Sequence, residues 1–252
     1  MPVPLVSRQA ADVRLRGELR YGLELARLSA DREFLFPRRA ANPPPVLLVP
    51  GFMAGDQSLA LLWGWLRRRG SRTAAAGIRL NVDCGERAVR AIERRLCRLV
   101  EGSARPAVIV GQSRGGELAR VVALRNPQLV SAVVMLGSPV LSPLSVGRPV
   151  LRAVRSVARL GDIGLPGMFS TECAGGECCA RFREDLEAPL PASLNAVSIY
   201  SRSDGIVAWQ ACLDQWARHV EVDSSHCGMS VNRDVYRVLR DVLDQEGERW
   251  SG

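Results

Sequence analysis

The sequence predicts an α/β protein with a mostly parallel central sheet flanked by helices. Three observations predict it. Short apolar runs at 46–49, 107–110 and 130–136 end in glycine, proline or turn residues, as buried strands do. Amphipathic helical stretches alternate with these runs. One run, Val-Ile-Val-Gly111-Gln-Ser113-Arg-Gly115-Gly116, leads directly into a helical pattern.

Residues 1–45 read as an N-terminal extension, helical over 11–29, with Val13, Leu15, Leu19, Leu23, Leu25 and Leu28 among polar residues. Asn42-Pro43-Pro44-Pro45 stops any helix there. The main domain is expected over 46–252. A strand at 46–49 ends at Pro50-Gly51. Asp56 or Ser58 is placed to cap a helix running to Arg69, before Gly70. A weaker strand follows at 72–77, then a helix over 85–101 with Val89, Ile92, Leu96, Leu99 and Val100 on one side. The strand at 107–110 feeds a helix over 114–125, and further strands are expected at 130–136, 196–200 and 220–222, with a closing helix over 231–245. The block 138–194 breaks the alternation and reads as an insertion above the sheet. Its helix near 145–160 carries Arg148, Arg152, Arg155 and Arg159 as a basic stripe opposite Val150, Leu151, Val154, Val157 and Ala158. That pattern suits a solvated amphipathic helix and a cap over an acyl pocket equally.

Composition removes several mechanisms. All 34 basic residues are arginine. Without lysine there is no Schiff base, no Ser-Lys dyad and no phosphate-loop lysine. Histidines are two, His219 and His226, so a three-histidine metal site is excluded. The net charge of +8 invites nucleic acid, but the arginines are spread along the chain and aromatics do not interleave with them. The dense runs Arg67-Arg68-Arg69 and Arg94-Arg95 read as solvated helix faces, and no nucleic-acid partner is expected. No apolar run is long enough to span a bilayer and no leader pattern is visible at Met1, so stable membrane insertion is not expected and a cytoplasmic location is. Of seven cysteines, Cys173, Cys178 and Cys179 cluster with C-x4-C-C spacing, which is not the C-x2-C of a zinc knuckle. No metal and no cofactor is expected. Disulfides that staple the insertion, or join Cys212 to Cys227, are the alternative use of these thiols.

Gly111-Gln-Ser113-Arg-Gly115 sits where a strand turns sharply into a helix, the context a nucleophilic serine needs. Gly111 and Gly115 let the backbone approach closely, and the helix N-terminus offers N–H groups to a developing oxyanion. The motif resembles that of the α/β-hydrolase superfamily, most of all small serine esterases and lipases with a Pro-Gly-Phe oxyanion loop. The resemblance covers 46–245. It implies the order nucleophile, acid, histidine, which Ser113, Asp204 in Ser-Asp-Gly and His226 in Ser-Ser-His-Cys-Gly match, each after an expected strand. Asp214 and Asp223 stand as fallback acids, and His219 as a strand-edge residue. The resemblance also implies an oxyanion hole from the backbone N–H groups of Phe52 and Arg114, with Met53 as the other donor, and substrate contacts from Phe52, Met53 and Arg114. Gln112 and Arg114 depart from the usual elbow. Arg114 has three open roles: solvent exposure, an ion pair with Glu117 or another acid, or binding of an anionic substrate group.

The implied activity is hydrolysis of a carboxylic ester through an acyl-enzyme on Ser113, with a small-molecule ester or acyl compound as partner. Acyl transfer, thioester hydrolysis or macrolactone formation on the same triad is the alternative. A non-catalytic ligand-binding protein of the same fold is the alternative from another class.

Overall fold

The computed structural model describes residues 15–103 and 105–250. The part of the expected first helix before residue 15 lies outside them. Six strands form one sheet: β1 (Val46–Val49), β2 (Thr73–Ala75), β3 (Ala107–Gln112), β4 (Val130–Leu136), β5 (Asn195–Tyr200) and β6 (Arg218–Glu221). Their order is β2-β1-β3-β4-β5-β6, and every pairing is parallel. All residues of β1, β3 and β4 are buried. A parallel sheet covered on both faces produces this, and it explains why these strands are continuous apolar runs in sequence.

Among the described residues the helices are α1 (Tyr21–Ser29), α2 (Arg32–Leu35), α3 (Ala60–Arg68), α4 (Gly85–Val100), α5 (Arg114–Arg125), α6 (Arg148–Asp162), α7 (Glu172–Gly175), α8 (Ala180–Glu187) and α9 (Arg233–Arg249). Strand alternation divides the core into two layers. Leu47, Val49, Ile109, Val133 and Met135 face α4 and α5. Val46, Leu48, Val108, Val110 and Val134 face α3, α9 and Leu28 of α1. The chain leaves β1 toward β2 on one face and leaves β3 toward β4 on the other. The carboxyl ends of β1 and β3 therefore flank the point where the winding reverses, where an open α/β sheet opens a crevice. Pro50 and Ser113 begin there.

Several expectations need correction. The helix before Arg69 is not capped by Asp56 or Ser58. Gly55 precedes a short 3-10 turn over Asp56–Leu59, and the Asp56 carboxylate instead accepts from the backbone N–H groups of Gly77 and Ile78 at 2.9 and 3.0 Å. In the N-terminal segment a 3-10 turn over Leu15–Arg20 precedes α1. There Leu19 and Leu23 are exposed while Glu24 is buried, because Glu24 has polar partners waiting in the core. Arg69 is not a solvated residue but is buried, ion-paired to Asp244 and stacked over Trp65. All seven cysteines are free thiols, so neither the staple nor the Cys212–Cys227 bridge is formed. The basic stripe of α6 is exposed as expected, and Val157 and Ala158 are buried beneath it.

Arg120 of α5 and Asp214 form a buried ion pair, both side chains 2% exposed and 2.6 Å apart. The guanidinium also donates to the carbonyls of Asp185 and Ala188, tying α5 to the end of the insertion. Removing one member leaves a buried charge without its partner. Asp214→Ala is expected to lower unfolding stability by roughly 3–5 kcal/mol. Urea denaturation of the two proteins measures this.

Candidate active site

Ser113 has φ 51° and ψ −126° between β3 and α5. A serine avoids this left-handed backbone unless its surroundings impose it. Here Ser113 N–H donates to the Leu136 carbonyl and its own carbonyl accepts from Gly116 N–H, both at 2.8 Å. The turn closes only on glycine. A Cβ on Gly111 would lie 2.6 Å from the Gly116 Cα, and one on Gly115 would lie 2.5 Å from the Pro50 carbonyl oxygen.

The loop after β1 lies against this turn: a Cβ on Gly51 would be 3.3 Å from the Ser113 Cβ. Asn81, buried and unremarked in the sequence, organises the loop. Its amide donates to the Pro50 carbonyl at 2.7 Å, its N–H donates to Ala54 O, and its own carbonyl accepts from Met53 N–H at 3.3 Å. Met53 has φ 56° and its N–H is engaged. Of the two expected donors from this loop, Met53 therefore already has an acceptor for its N–H. The Arg114 side chain is half-buried and forms no ion pair among the described residues. Its guanidinium donates to Asn81 O, Asn81 Oδ1 and Asp83 O, and stacks 5.2 Å from the centre of the Phe169 ring, which also meets Phe52.

Asp204 and His226 are brought together. The imidazole Nδ1–H donates to Asp204 Oδ2 at 2.6 Å, with both side chains buried. Asp204 Oδ1 accepts from the N–H groups of Ile206 and Val207 at 2.8 and 2.7 Å. The aspartate thus builds its turn with one oxygen and holds the ring with the other. Asp214 is held by Arg120, and Asp223 by Arg20 and the Ser203 hydroxyl. His219 is exposed and bonds the Asp214 carbonyl. The serine and histidine loops touch: the Gln112 side-chain amide donates to the His226 carbonyl at 3.1 Å. A Cβ on Gly137 would lie 3.1 Å from His226 Nδ1. No hydrogen bond joins Ser113 Oγ to the imidazole among the described residues.

Two glutamates of the N-terminal segment hold the histidine loop, and sequence reasoning missed both. Glu18 accepts from the N–H groups of Gly205, His226 and Cys227 at 3.1, 2.8 and 2.9 Å. Glu24 accepts from the Ser225 N–H and hydroxyl, each at 2.7 Å. Burial pushes the imidazole pKa down, but Asp204 and then Glu18 outweigh it, so the ring titrates above its ordinary value. Removing the Glu18 charge while keeping an acceptor should lower that pKa. Glu18→Gln is expected to move the His226 ring titration to lower pH, and NMR of a chain with two histidines reads it directly.

Glu117 on α5 is buried beside Arg114. Desolvation raises its pKa to about 8, with Arg114 opposing. Its folded value therefore lies above its unfolded one. The stability it contributes is present below the ordinary carboxylate value and is lost as pH rises toward 8. Glu117→Gln should remove this loss, so thermal melts of variant and wild type should diverge in the variant's favour from pH 5 to pH 8.

No protein-family model matches the chain, and no curated protein sequence matches it. Solved structures do. The mature lipase BlEst2 of Bacillus licheniformis is similar at 15% identity and TM-score 0.59, over 82% of this chain and 94% of that one. A metagenome-derived structure reported for the lipolytic enzymes LipS and LipT gives 16% identity and TM-score 0.57, over 83% and 96%. The carboxylesterase CesB of Bacillus subtilis gives 13% and 0.52, over 90% and 97%. At these identities the likeness is one of architecture, and with the parallel sheet and the strained serine turn it establishes that the chain has the α/β-hydrolase fold.

Proposed function

We propose that the protein is a serine hydrolase that cleaves a carboxylic ester through an acyl-enzyme on Ser113. The observation that carries this is the buried Asp204–His226 pair on loops beside a serine held at positive φ. Lipase and esterase structures of the same fold support it.

In this reading His226 Nε2 accepts the Ser113 hydroxyl proton as Oγ attacks the ester carbonyl carbon. The carbonyl oxygen takes the negative charge, facing the N–H groups of Phe52 and Arg114. Collapse expels the alkoxide, which leaves as alcohol with the proton from His226. Water then repeats the sequence on the acyl-enzyme, releasing the acid and restoring Ser113. Asp204 fixes the ring with Nδ1 protonated, so that Nε2 faces the serine, and stabilises the imidazolium. The serine–imidazole hydrogen bond forms in the substrate complex, as such bonds do when they are long or misaligned without substrate. The Arg114 guanidinium donates to Asn81 and Asp83, and the residue supplies its backbone N–H to the oxyanion. Phe52, Phe169 and Met53 give the acyl side an apolar wall.

Hydrolysis of p-nitrophenyl esters of graded chain length, with wild type and Ser113→Ala in parallel, tests the proposal. The variant should keep the fold and lose ~10⁶-fold in kcat. Unimpaired turnover by Ser113→Ala would sink it. Because the imidazole works as a base, kcat/KM should rise with pH along a limb centred above the ordinary histidine value of about 6.5.

A further inference from the structure

Four cysteines outside the candidate active site meet in space. Cys84 immediately precedes α4, while Cys173, Cys178 and Cys179 come from the insertion. Their four sulfurs all lie within 4.8 Å of one another, with Cys84 3.3 Å from Cys179 and Cys173 3.6 Å from Cys178. A disulfide needs about 2.05 Å, so these are thiols in contact. Sulfurs bonded tetrahedrally to one zinc at about 2.3 Å stand about 3.8 Å apart, within the spread seen here. An iron–sulfur cluster sets its cysteines farther apart, because sulfide-bridged irons lie between them.

We propose that Cys84, Cys173, Cys178 and Cys179 form a closed tetrathiolate site for one zinc ion, which ties the insertion to the start of α4. Cys84 and Cys179 are buried, Cys173 is half-buried and Cys178 is exposed, so the site has an inner wall and an entry side. Four sulfur ligands leave no open position, so the site is structural. On binding, each thiol releases its proton to solvent, and Zn²⁺ with four thiolates carries a net charge of 2−. The surroundings suit that charge. The guanidinium of Arg87 interacts electrostatically with Cys84 and Cys173, and that of Arg114 with Cys84 and Cys179. Ser170 Oγ lies 3.8 Å from Cys173 Sγ, and the positive end of α4 begins at Gly85. The spacing C-x4-C-C shows only three of the four ligands; the fourth is 95 positions from Cys179.

The site stands independently of the proposed hydrolase chemistry, but it adjoins the same rim. Phe169, just before the cysteine segment, donates its N–H to Val82 O at 2.7 Å and packs on Phe52 and Arg114. A metal joining Cys84 to the insertion fixes this wall in place.

The full-length chain, incubated with zinc under reducing conditions and then dialysed, should retain about one zinc per chain by elemental mass spectrometry. Cobalt(II) in its place should give the intense visible bands and the sulfur-to-cobalt charge-transfer band of a tetrahedral thiolate site. Cys178→Ser and Cys173→Ser should each lose most of the metal, while Cys227→Ser, outside the cluster, should keep it. A chelator should lower the melting temperature of the wild type. A wild type that retains no zinc after dialysis overturns the proposal. So do cysteine variants of the cluster that retain as much as wild type, and disulfides among the four cysteines in the alkylated, unreduced chain. None of these readings uses ester hydrolysis.

Discussion

Everything at the candidate site depends on the backbone of Ser113. A left-handed serine costs of order 1–3 kcal/mol and persists only where its neighbours enforce it. Here enforcement comes from both sides. The Leu136 carbonyl holds the Ser113 N–H at the edge of β4, and Gly116 closes the first turn of α5 onto the Ser113 carbonyl. The glycines make room rather than flexibility: Gly111 faces Gly115 and Gly116, and Gly115 faces Val49 and Pro50. The same close approach that strains the serine brings the loop after β1 against it. One constraint therefore fixes both the serine and the loop packed against it.

The second half of the site is held from an unexpected direction. Glu18 and Glu24 reach from before the sheet to bond five donors of the loops bearing Asp204 and His226. Their division of labour with Asp204 is a matter of geometry. Glu18 faces main-chain N–H groups, so its charge biases the imidazole without competing for Nδ1. Asp204 alone meets the ring, and its second oxygen is fixed by Ile206 and Val207. A segment that reads as an appendage in sequence is thus part of what positions the histidine.

What was legible in the sequence follows from locality. β1, β3 and β4 were readable because burial on both faces makes every residue apolar, and the serine turn because its glycines lie within five residues of one another. That Asp204 and His226 pair was expected only through the resemblance, which supplied their order after the strands, and the two side chains do meet. Unreadable were the residues whose roles exist only across long separations. Asn81 is one polar residue in a loop until Pro50, Met53 and Arg114 meet around it. Glu24 lies 201 positions from Ser225, and nothing in a helical pattern marks a glutamate as buried. Leu19 and Leu23 misled for the complementary reason: apolar periodicity announces a buried face only when the face finds a partner, and here the carboxylates have it.

The uniform choice of arginine over lysine also has a structural reading beyond solvated charge. Arg114 divides its donors among Asn81 O, Asn81 Oδ1 and Asp83 O; Arg120 among Asp214, Asp185 O and Ala188 O; Arg69 pairs with Asp244 and the Arg38 carbonyl. A planar fork with five N–H groups can satisfy several fixed carbonyls at once, which an ammonium on a flexible stem does poorly. At Arg114 this bears on chemistry. Its guanidinium donates to two main-chain carbonyls and one side-chain amide oxygen and lies against the Phe169 ring, so the cation next to Ser113 in sequence is tied to the segment that organises the loop after β1. Phe169 in turn packs on Phe52, so one arginine links the polar segment at Asn81 and Asp83 to an aromatic pair.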